Sequence, residues 1–274
     1  MYDFSYKNIN KIKKDPKDYL VFVKRLLPRW INGIPDSECI AIFETLDFLR
    51  KKKKSKLFLA ETGCGASTIA MFLHCSLYGG KMFSWDTNAN KGSFLRSVLS
   101  ESIGKSLKVD VNEIWEFIGF DSTDPYIGMK ILKEKKIKTD FCFFDSWHTL
   151  KHVMSEIKSV ENSLSKQFIL AFDDAYYEKK NFNFSYINML RSKMKLKKIK
   201  EPVNNNCLPF FVEIEKYLKR KYSLVKRLKS SYKKNFKKDI FFKYYDADRK
   251  FMNSLGMEEK NKLSFRYESF FVKK

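Results

Sequence analysis

The most informative pattern in the chain is Leu57-Phe58-Leu59-Ala60-Glu61-Thr62-Gly63-Cys64-Gly65-Ala66-Ser67-Thr68. It is a short apolar run that ends at an acidic residue and leads directly into a Gly-x-Gly turn. Glycine lacks a Cβ atom, so it adopts positive φ angles and lets another molecule approach the main chain closely. Apolar residues then recur at helical spacing as far as Tyr78, where Gly79-Gly80 follows as a stop signal. The order of strand, glycine turn and helix predicts a ligand-binding turn at the carboxyl end of a strand.

The composition fits one α/β domain with additions. With 274 residues, 44% of them hydrophobic, the chain can bury a sizeable core. The five cysteines are an odd number, without Cys-x-x-Cys or zinc-like spacing, which predicts a reducing, cytoplasmic compartment. No apolar run approaches the ~20 residues of a spanning helix, so no transmembrane segment is expected.

Alternating strand-like and helix-like segments predict a Rossmann-like α/β fold, with a mainly parallel sheet and helices on both faces. N-terminal helices and a basic helical C-terminal addition complete this prediction. The predicted core strands are Leu57 to Ala60, Lys81 to Trp85, Ile114 to Phe120, Thr139 to Phe144 and Gln167 to Phe172. Closing strands are predicted at Phe210 to Ile214 and Phe265 to Val272. Helices are predicted at Asp18 to Leu27, Ser37 to Arg50, Asn181 to Lys195 and Tyr217 to Phe236. The predicted parts are a helical cap (1–54), a core (55–215) and a basic insertion with the closing strand (216–274).

Acidic residues follow the later strands of the predicted sheet. They are Asp86, Asp121, Asp145 and the pair Asp173-Asp174. Acids in such places can be simple helix caps. However, the carboxyl ends of parallel strands face one crevice, so these side chains are expected to converge there. Carboxylates gathered in one cleft repel one another unless a cation or a hydroxyl-rich ligand occupies it.

These residues resemble the class I S-adenosylmethionine-dependent methyltransferases. The resemblance runs from about Ser37 to Tyr177 and implies that the turn lies against the methionine part of the cofactor. It also implies that Asp86 binds the ribose hydroxyls and that Asp121 and Ser122 flank the adenine. The predicted cofactor-binding residues are Glu61, Gly63, Gly65, Ser67, Asp86, Asp121 and Ser122. Ser67 stands where many family members have a third glycine.

Within that class, the chain resembles the metal-dependent small-molecule O-methyltransferases, typified by catechol O-methyltransferase. Phe143-Phe144-Asp145-Ser146-Trp147-His148 and Ala171-Phe172-Asp173-Asp174 carry this likeness. Asp145-x-x-His148 also resembles a bacterial group of cephalosporin-hydroxylase-like and sugar O-methyltransferases. The resemblance implies Mg²⁺ at Asp145, Asp173 and Asp174, since three carboxylates suit a hard cation.

His148 is the candidate general base, because imidazole titrates near neutral pH. The alternative is that this histidine only hydrogen-bonds a neighbour. The predicted substrate is a hydroxylated small molecule, such as a sugar or glycan precursor. Trp147, beside the predicted metal, is either a wall of the pocket or a packing residue.

Charge leaves a second class of function open. The net charge is +22, and residues 191–240 hold 17 Lys and Arg against 4 Asp and Glu. Such a segment either binds nucleic acid, as in an RNA methyltransferase, or is a solvated surface. An NAD-dependent dehydrogenase is a further alternative, although Thr68 replaces the third glycine of its Gly-x-Gly-x-x-Gly motif.

Overall fold

The computed structural model of the chain describes residues 8–28, 30–175, 184–198, 211–230 and 266–273. The strands are β1 Leu57–Thr62, β2 Gly80–Trp85, β3 Trp115–Ile118, β4 Thr139–Phe144, β5 Leu164–Phe172, β6 Tyr222–Ser230 and β7 Arg266–Lys273. In these ranges they form one sheet in the order β3-β2-β1-β4-β5-β7-β6. The first five strands pair in parallel, whereas β7 runs antiparallel to β5 and β6. The predicted mainly parallel, Rossmann-like sheet is therefore confirmed.

Helices connect the strands and cover both faces of the sheet. They are α1 Ile9–Lys14, α2 Pro16–Lys24, α3 Asp36–Lys53, α4 Ala66–Tyr78, α5 Ala89–Leu99, α6 Lys105–Leu107, α7 Val111–Ile114, α8 Ile131–Glu134, α9 Leu150–Glu161, α10 Phe184–Lys193 and α11 Phe211–Lys221. A π-helical turn, Ser100–Gly104, joins α5 to α6. No helix in the described ranges is both long and apolar enough to cross a membrane.

The two faces of the sheet carry separate apolar cores. On one face, Leu20, Leu46 and Phe72 of the helices α2, α3 and α4 pack with side chains of β1. On the other face, Ile157 of α9 and Leu218 of α11 pack with side chains of β4 and β5. The amino-terminal helices thus contribute to the same core as the first strand. The three-part division of the chain stays a prediction.

The carboxyl-terminal part differs from its predicted structure at two places. Residues 211–214 belong to α11 rather than to a strand, because Ile214 and Leu218 lie one helical turn apart and both are buried. The predicted helix from Tyr217 ends at Lys221, and β6 follows. Its backbone groups pair with those of β7, and this pairing prevails over helical periodicity. Residues 231–236 of that predicted helix lie outside the described ranges.

The remaining elements agree with their predictions, with shifted ends. β4 has the predicted bounds, and the other four parallel strands differ from theirs by three residues or fewer at either end. The described part of the predicted helix Asn181 to Lys195 is α10, and the second closing strand is β7. Apolar runs between turn residues were therefore sufficient to place the centre of the sheet.

The position of the site follows from the strand order. From β1 the chain adds β2 and β3 on one side of the sheet and then β4 and β5 on the other, so the strand order reverses at β1 although these strands are parallel. Main-chain hydrogen bonds tie together the residues that leave these strands, such as Gly63 N to Trp85 O (2.9 Å) and Asp145 N to Thr62 O (2.9 Å). Ligands of open α/β sheets bind at this switch point, outside the carboxyl ends of the strands.

Candidate functional site

The two glycines of the turn are required by contacts with other parts of the chain. Gly63 has φ of +77°, and a Cβ atom there would lie 1.8 Å from the carbonyl oxygen of Asp145. A Cβ atom on Gly65 would lie 2.7 Å from the carbonyl oxygen of Ile31. The turn is thus pressed between the loop after β4 and the segment before α3. Gly63 also lines the cavity described below.

Glu61 and Ser67 lie beneath the turn. The Glu61 carboxyl group is fully buried and accepts hydrogen bonds from the hydroxyl groups of Ser67 (2.7 Å), Thr68 (2.6 Å) and Ser84 (2.7 Å). Burial raises the pKa of Glu61 to about 7, against the lowering effect of these hydroxyl groups. Ser67, where the family has glycine, is therefore a hydrogen-bond donor to this carboxyl group. Neither residue lines the cavity, and direct contact of either with a cofactor stays a prediction.

A cavity of about 280 Å³ opens at the carboxyl ends of the strands. It is lined by Gly63, Trp85, Asp86, Thr87, Lys91, Phe120, Asp121, Ser122, Asp145, Ser146, Trp147 and His152. The structure thus brings five of the predicted site residues to one place: Gly63, Asp86, Asp121, Ser122 and Asp145. Phe120 and Trp147 line it although 54% and 72% of their surface is exposed, so both lie at its open side.

Asp86 is held at the cavity by four hydrogen bonds, of which the one from Cys64 Sγ to Oδ2 (3.6 Å) is the longest. Its Oδ2 accepts from Cys64 N (3.1 Å) and from Lys91 Nζ (2.7 Å), while Oδ1 accepts from Asn88 N (2.9 Å). Burial lowers the pKa of Lys91, but the hydrogen bond and charge of Asp86 outweigh this effect, so the net change is a rise. A lysine that stays cationic therefore covers the carboxylate predicted to bind ribose.

Asp121 and Ser122 lie on the wall that follows β3. Asp121 Oδ1 accepts from the main-chain N and the Oγ1 of Thr123, both at 2.7 Å. Burial raises the pKa of Asp121, but these hydrogen bonds and nearby His152 lower it more, and the net change is a decrease. His152 Nδ1 lies 3.9 Å from Asp121 Oδ1. The Ser122 hydroxyl points to α9, where it donates to Glu156 Oε1 at 2.5 Å.

His148 and Asp145 lie together after β4, as predicted. His148 Nε2 is 3.6 Å from Asp145 Oδ1, and 39% of the His148 side chain is exposed. Burial lowers the pKa of His148, whereas Asp145, Asp174 and Asp173 raise it, and the net value is about 8. The histidine therefore carries a proton at neutral pH.

The predicted magnesium ligands do not form a metal site within the described ranges. These ranges contain no group of three or more His, Cys, Asp or Glu side chains able to hold a metal ion. Asp173 Oδ1 accepts from the main-chain N of Asp174 at 2.8 Å. Asp173 and Asp174 are buried, and Asp174 has φ of +50°. Asp145, unlike these two residues, lines the cavity. Magnesium binding by Asp145, Asp173 and Asp174 therefore stays a prediction.

Sequence reasoning missed Lys91 and Glu156. Lys91 lies five residues after Asp86 in α5, and its position alone does not indicate contact. Glu156 left a readable signal, because it shares one helix face with the apolar residues Val153, Ile157 and Val160. An acidic residue within an apolar stripe indicates a buried partner.

In the basic segment, the described residues Lys219 and Lys221 of α11 form ion pairs with Glu215 and Glu161.

A comparison with protein-family models finds no match, and neither does a comparison with curated proteins. Among solved structures, the chain is similar to a putative O-methyltransferase from Klebsiella pneumoniae, with 10% identity, coverage of 98% of this chain and 97% of that chain, and a TM-score of 0.49. It is also similar to a methyltransferase from Thiobacillus denitrificans in complex with S-adenosyl-L-homocysteine, with 12% identity, coverage of 84% and 90%, and a TM-score of 0.47. A third similar structure is the plantazolicin methyltransferase BamL, with 13% identity, coverage of 97% of this chain and 99% of that chain, and a TM-score of 0.43. All three are methyltransferases, the class that the sequence resembles. Identities of 10–13% and TM-scores below 0.5 do not identify a ligand or an activity.

Proposed function

We propose that the protein transfers a methyl group from S-adenosylmethionine to a hydroxyl group of a small molecule, such as a sugar or glycan precursor. The observation that carries this proposal is the cavity itself. It lies at the switch point of the sheet and joins Gly63 of the glycine turn to Asp86, Asp121 and Ser122. Binding of the cofactor's ribose to Asp86 is supported by chemistry, since a carboxylate accepts hydrogen bonds from both hydroxyl groups of a ribose.

The residues of the cavity fit a nucleoside. Asp86 is fixed at the end of β2 by two main-chain N–H groups, so its carboxylate is preorganised for a diol. Phe120 and Trp147 offer aromatic faces at the open side of the cavity. When bound, S-adenosylmethionine supplies an electrophilic methyl group on a sulfonium centre. The protein's part is to orient the acceptor and exclude water, which contributes much of the rate in such transfers.

His148 is the proposed general base. With a pKa of about 8, it must lose a proton before it can accept one from the substrate hydroxyl. The rate is therefore expected to rise as the pH passes through 8. Asp145, 3.6 Å from the ring nitrogen, orients the imidazole and stabilises its protonated form.

Magnesium remains a prediction from the resemblance to catechol O-methyltransferase. Because the described side chains of Asp145, Asp173 and Asp174 do not form a metal site, no step of the proposed reaction depends on the ion. Chelation tests the point directly. A rate that is unchanged in EDTA would show that methyl transfer does not need magnesium. A rate that is lost in EDTA and restored by added Mg²⁺ would show that it does.

The test of the function is titration calorimetry with S-adenosylmethionine. We expect one site, with affinity at least tenfold weaker in Asp86→Ala, because hydrogen bonds to a charged group contribute about 1.5–3 kcal/mol each. Asp47→Ala is the matched control, since Asp47 binds Arg50 and Lys51 on α3. Binding of NAD instead would favour the dehydrogenase. Salt-dependent binding of RNA, without binding of S-adenosylmethionine, would favour the nucleic-acid alternative.

The reducing, cytoplasmic compartment also remains a prediction. The four described cysteines are buried.

A further inference from the structure

One buried carboxyl oxygen connects two walls of the cavity. Glu156 lies on α9 and is fully buried. Its Oε1 accepts hydrogen bonds from Ser122 Oγ (2.5 Å) and Ser146 Oγ (2.5 Å), and lies 3.1 Å from His152 Nε2. Ser122 follows β3 and Ser146 follows β4. These strands are not neighbours, since β2 and β1 lie between them in the sheet.

The contacts form a closed network around Glu156. His152 Nε2 also lies 3.1 Å from Ser122 Oγ, so the imidazole contacts both the carboxyl group and one of its hydroxyl donors. Ser122, Ser146 and His152 all line the cavity, whereas Glu156 stands behind them. Three groups of the cavity surface therefore depend for their positions on one residue that does not line it.

The second carboxyl oxygen is not used in this way. Glu156 Oε2 is buried and has no hydrogen-bond partner among the described residues. Burying a polar atom without a partner costs about 1–3 kcal/mol, so stability alone does not favour this arrangement. A role in a functional site is one explanation for such an atom in a native structure.

We propose that Glu156 is a positioning residue for the ligand site: it holds the loop after β3 and the loop after β4 at the separation that a nucleoside requires. This inference rests on the proposed function for the identity of the ligand. Within the described ranges, the carboxyl groups beside His152 are those of Glu156 and Asp121. Burial lowers the pKa of His152, while Glu156 and Asp121 raise it to a net value above the ordinary one. Glu156 thus also sets the protonation of a side chain on the cavity wall.

The experiment compares Glu156→Gln with Glu161→Gln in the full-length protein. Glu161 lies on the same helix, but it binds Tyr217, Lys221 and Tyr222 instead of the cavity loops. Titration calorimetry with S-adenosylhomocysteine as the probe is expected to show affinity roughly tenfold weaker in Glu156→Gln. Affinity in Glu161→Gln is expected to equal that of the wild type.

Two further readouts do not need the ligand. Amide hydrogen exchange in the loops that hold Ser122 and Ser146 is expected to accelerate in Glu156→Gln alone. The pKa of His152, followed by NMR, is expected to fall in that variant and to stay unchanged in Glu161→Gln. Ser146→Ala, which removes one donor and keeps Glu156, is expected to weaken affinity less than Glu156→Gln.

The outcomes separate the two proposals. The positioning role would be overturned if Glu156→Gln had the wild-type affinity for S-adenosylhomocysteine and the wild-type rate of amide exchange in both loops. If the wild type does not bind S-adenosylhomocysteine but the loops loosen in Glu156→Gln, the proposed function fails and the positioning role stands. Equal losses in the Glu156 and Glu161 variants would reduce Glu156 to a general contribution to folding.

Discussion

Replacing Ser67 with glycine restores the residue that many family members have at this position, yet we expect it to destabilise this protein. The Ser67 hydroxyl donates to the buried Glu61 carboxyl group at 2.7 Å. Losing a hydrogen bond to a charged group costs about 1.5–3 kcal/mol, and losing one to a neutral group about 0.5–1.5 kcal/mol. Glycine in a helix adds about 0.5–1 kcal/mol. The expected loss is therefore about 2–4 kcal/mol at pH 8.

The pH dependence of this loss is the sharper test. Because the pKa of Glu61 is about 7, the group is neutral at pH 5 and charged at pH 8. The difference in free energy of unfolding between the variant and the wild type should therefore widen from about 1–2.5 kcal/mol at pH 5 to about 2–4 kcal/mol at pH 8. Removing a donor to the charged form raises the pKa of Glu61 further, which also makes the cost of Ser67→Gly larger at high pH.

Urea denaturation at the two pH values measures both quantities. Ser76→Gly is the control, since Ser76 lies in the same helix and its hydroxyl donates only to the carbonyl oxygen of Phe72. The stabilising role of the Ser67 hydroxyl is refuted if Ser67→Gly lowers the free energy of unfolding no more than Ser76→Gly does, or if the loss does not depend on pH.

Three further predictions follow from single contacts of the site and core. Lys91→Met should tighten binding of S-adenosylhomocysteine about fivefold by calorimetry, because the bond from Lys91 to Asp86 no longer competes with the ribose; weaker binding would instead mean that Lys91 contacts the ligand. His74 is buried, neither ring nitrogen has a hydrogen-bond partner among the described residues, and burial lowers its pKa from 6.5 to about 4. The unfolded state thus takes up a proton below pH 6.5 that the folded state does not, so His74→Phe should gain about 2 kcal/mol relative to the wild type between pH 7 and pH 5 in urea titrations; a difference independent of pH would contradict this. Asp145→Asn should move the rise of the methyl-transfer rate from pH 8 to lower pH, because the carboxylate no longer stabilises protonated His148, and an unmoved profile would exclude His148 as the base.

The centre of the fold was predictable from sequence because its strands are buried on both faces. Leu57–Thr62 and Thr139–Phe144 are apolar runs closed by turn residues, and such runs have few alternatives. β6 was not predictable in this way. Tyr222–Ser230 mixes basic and apolar residues, and it is a strand because β7, from a distant part of the chain, pairs with it.

The candidate site was predictable where it depends on the ends of strands, and not where it depends on packing. Asp86, Asp121 and Asp145 were found because parallel strands bring their carboxyl ends to one edge. Glu61 was found by its place before the turn, but its burial beneath Ser67 depends on Ser84 of the next strand. The apolar stripe of α9 indicates that Glu156 is buried, but its contacts with the loops after β3 and β4 depend on how α9 packs, which the local sequence does not show.

The proposed cofactor site is best tested by a crystal structure of the protein with S-adenosylhomocysteine. We expect the nucleoside in the cavity, with its ribose hydroxyl groups on Asp86, its adenine beside Asp121 and Ser122, and Lys91 displaced from the carboxylate. Density for the ligand elsewhere on the molecule, or none at saturating concentration with Lys91 still bound to Asp86, would contradict it.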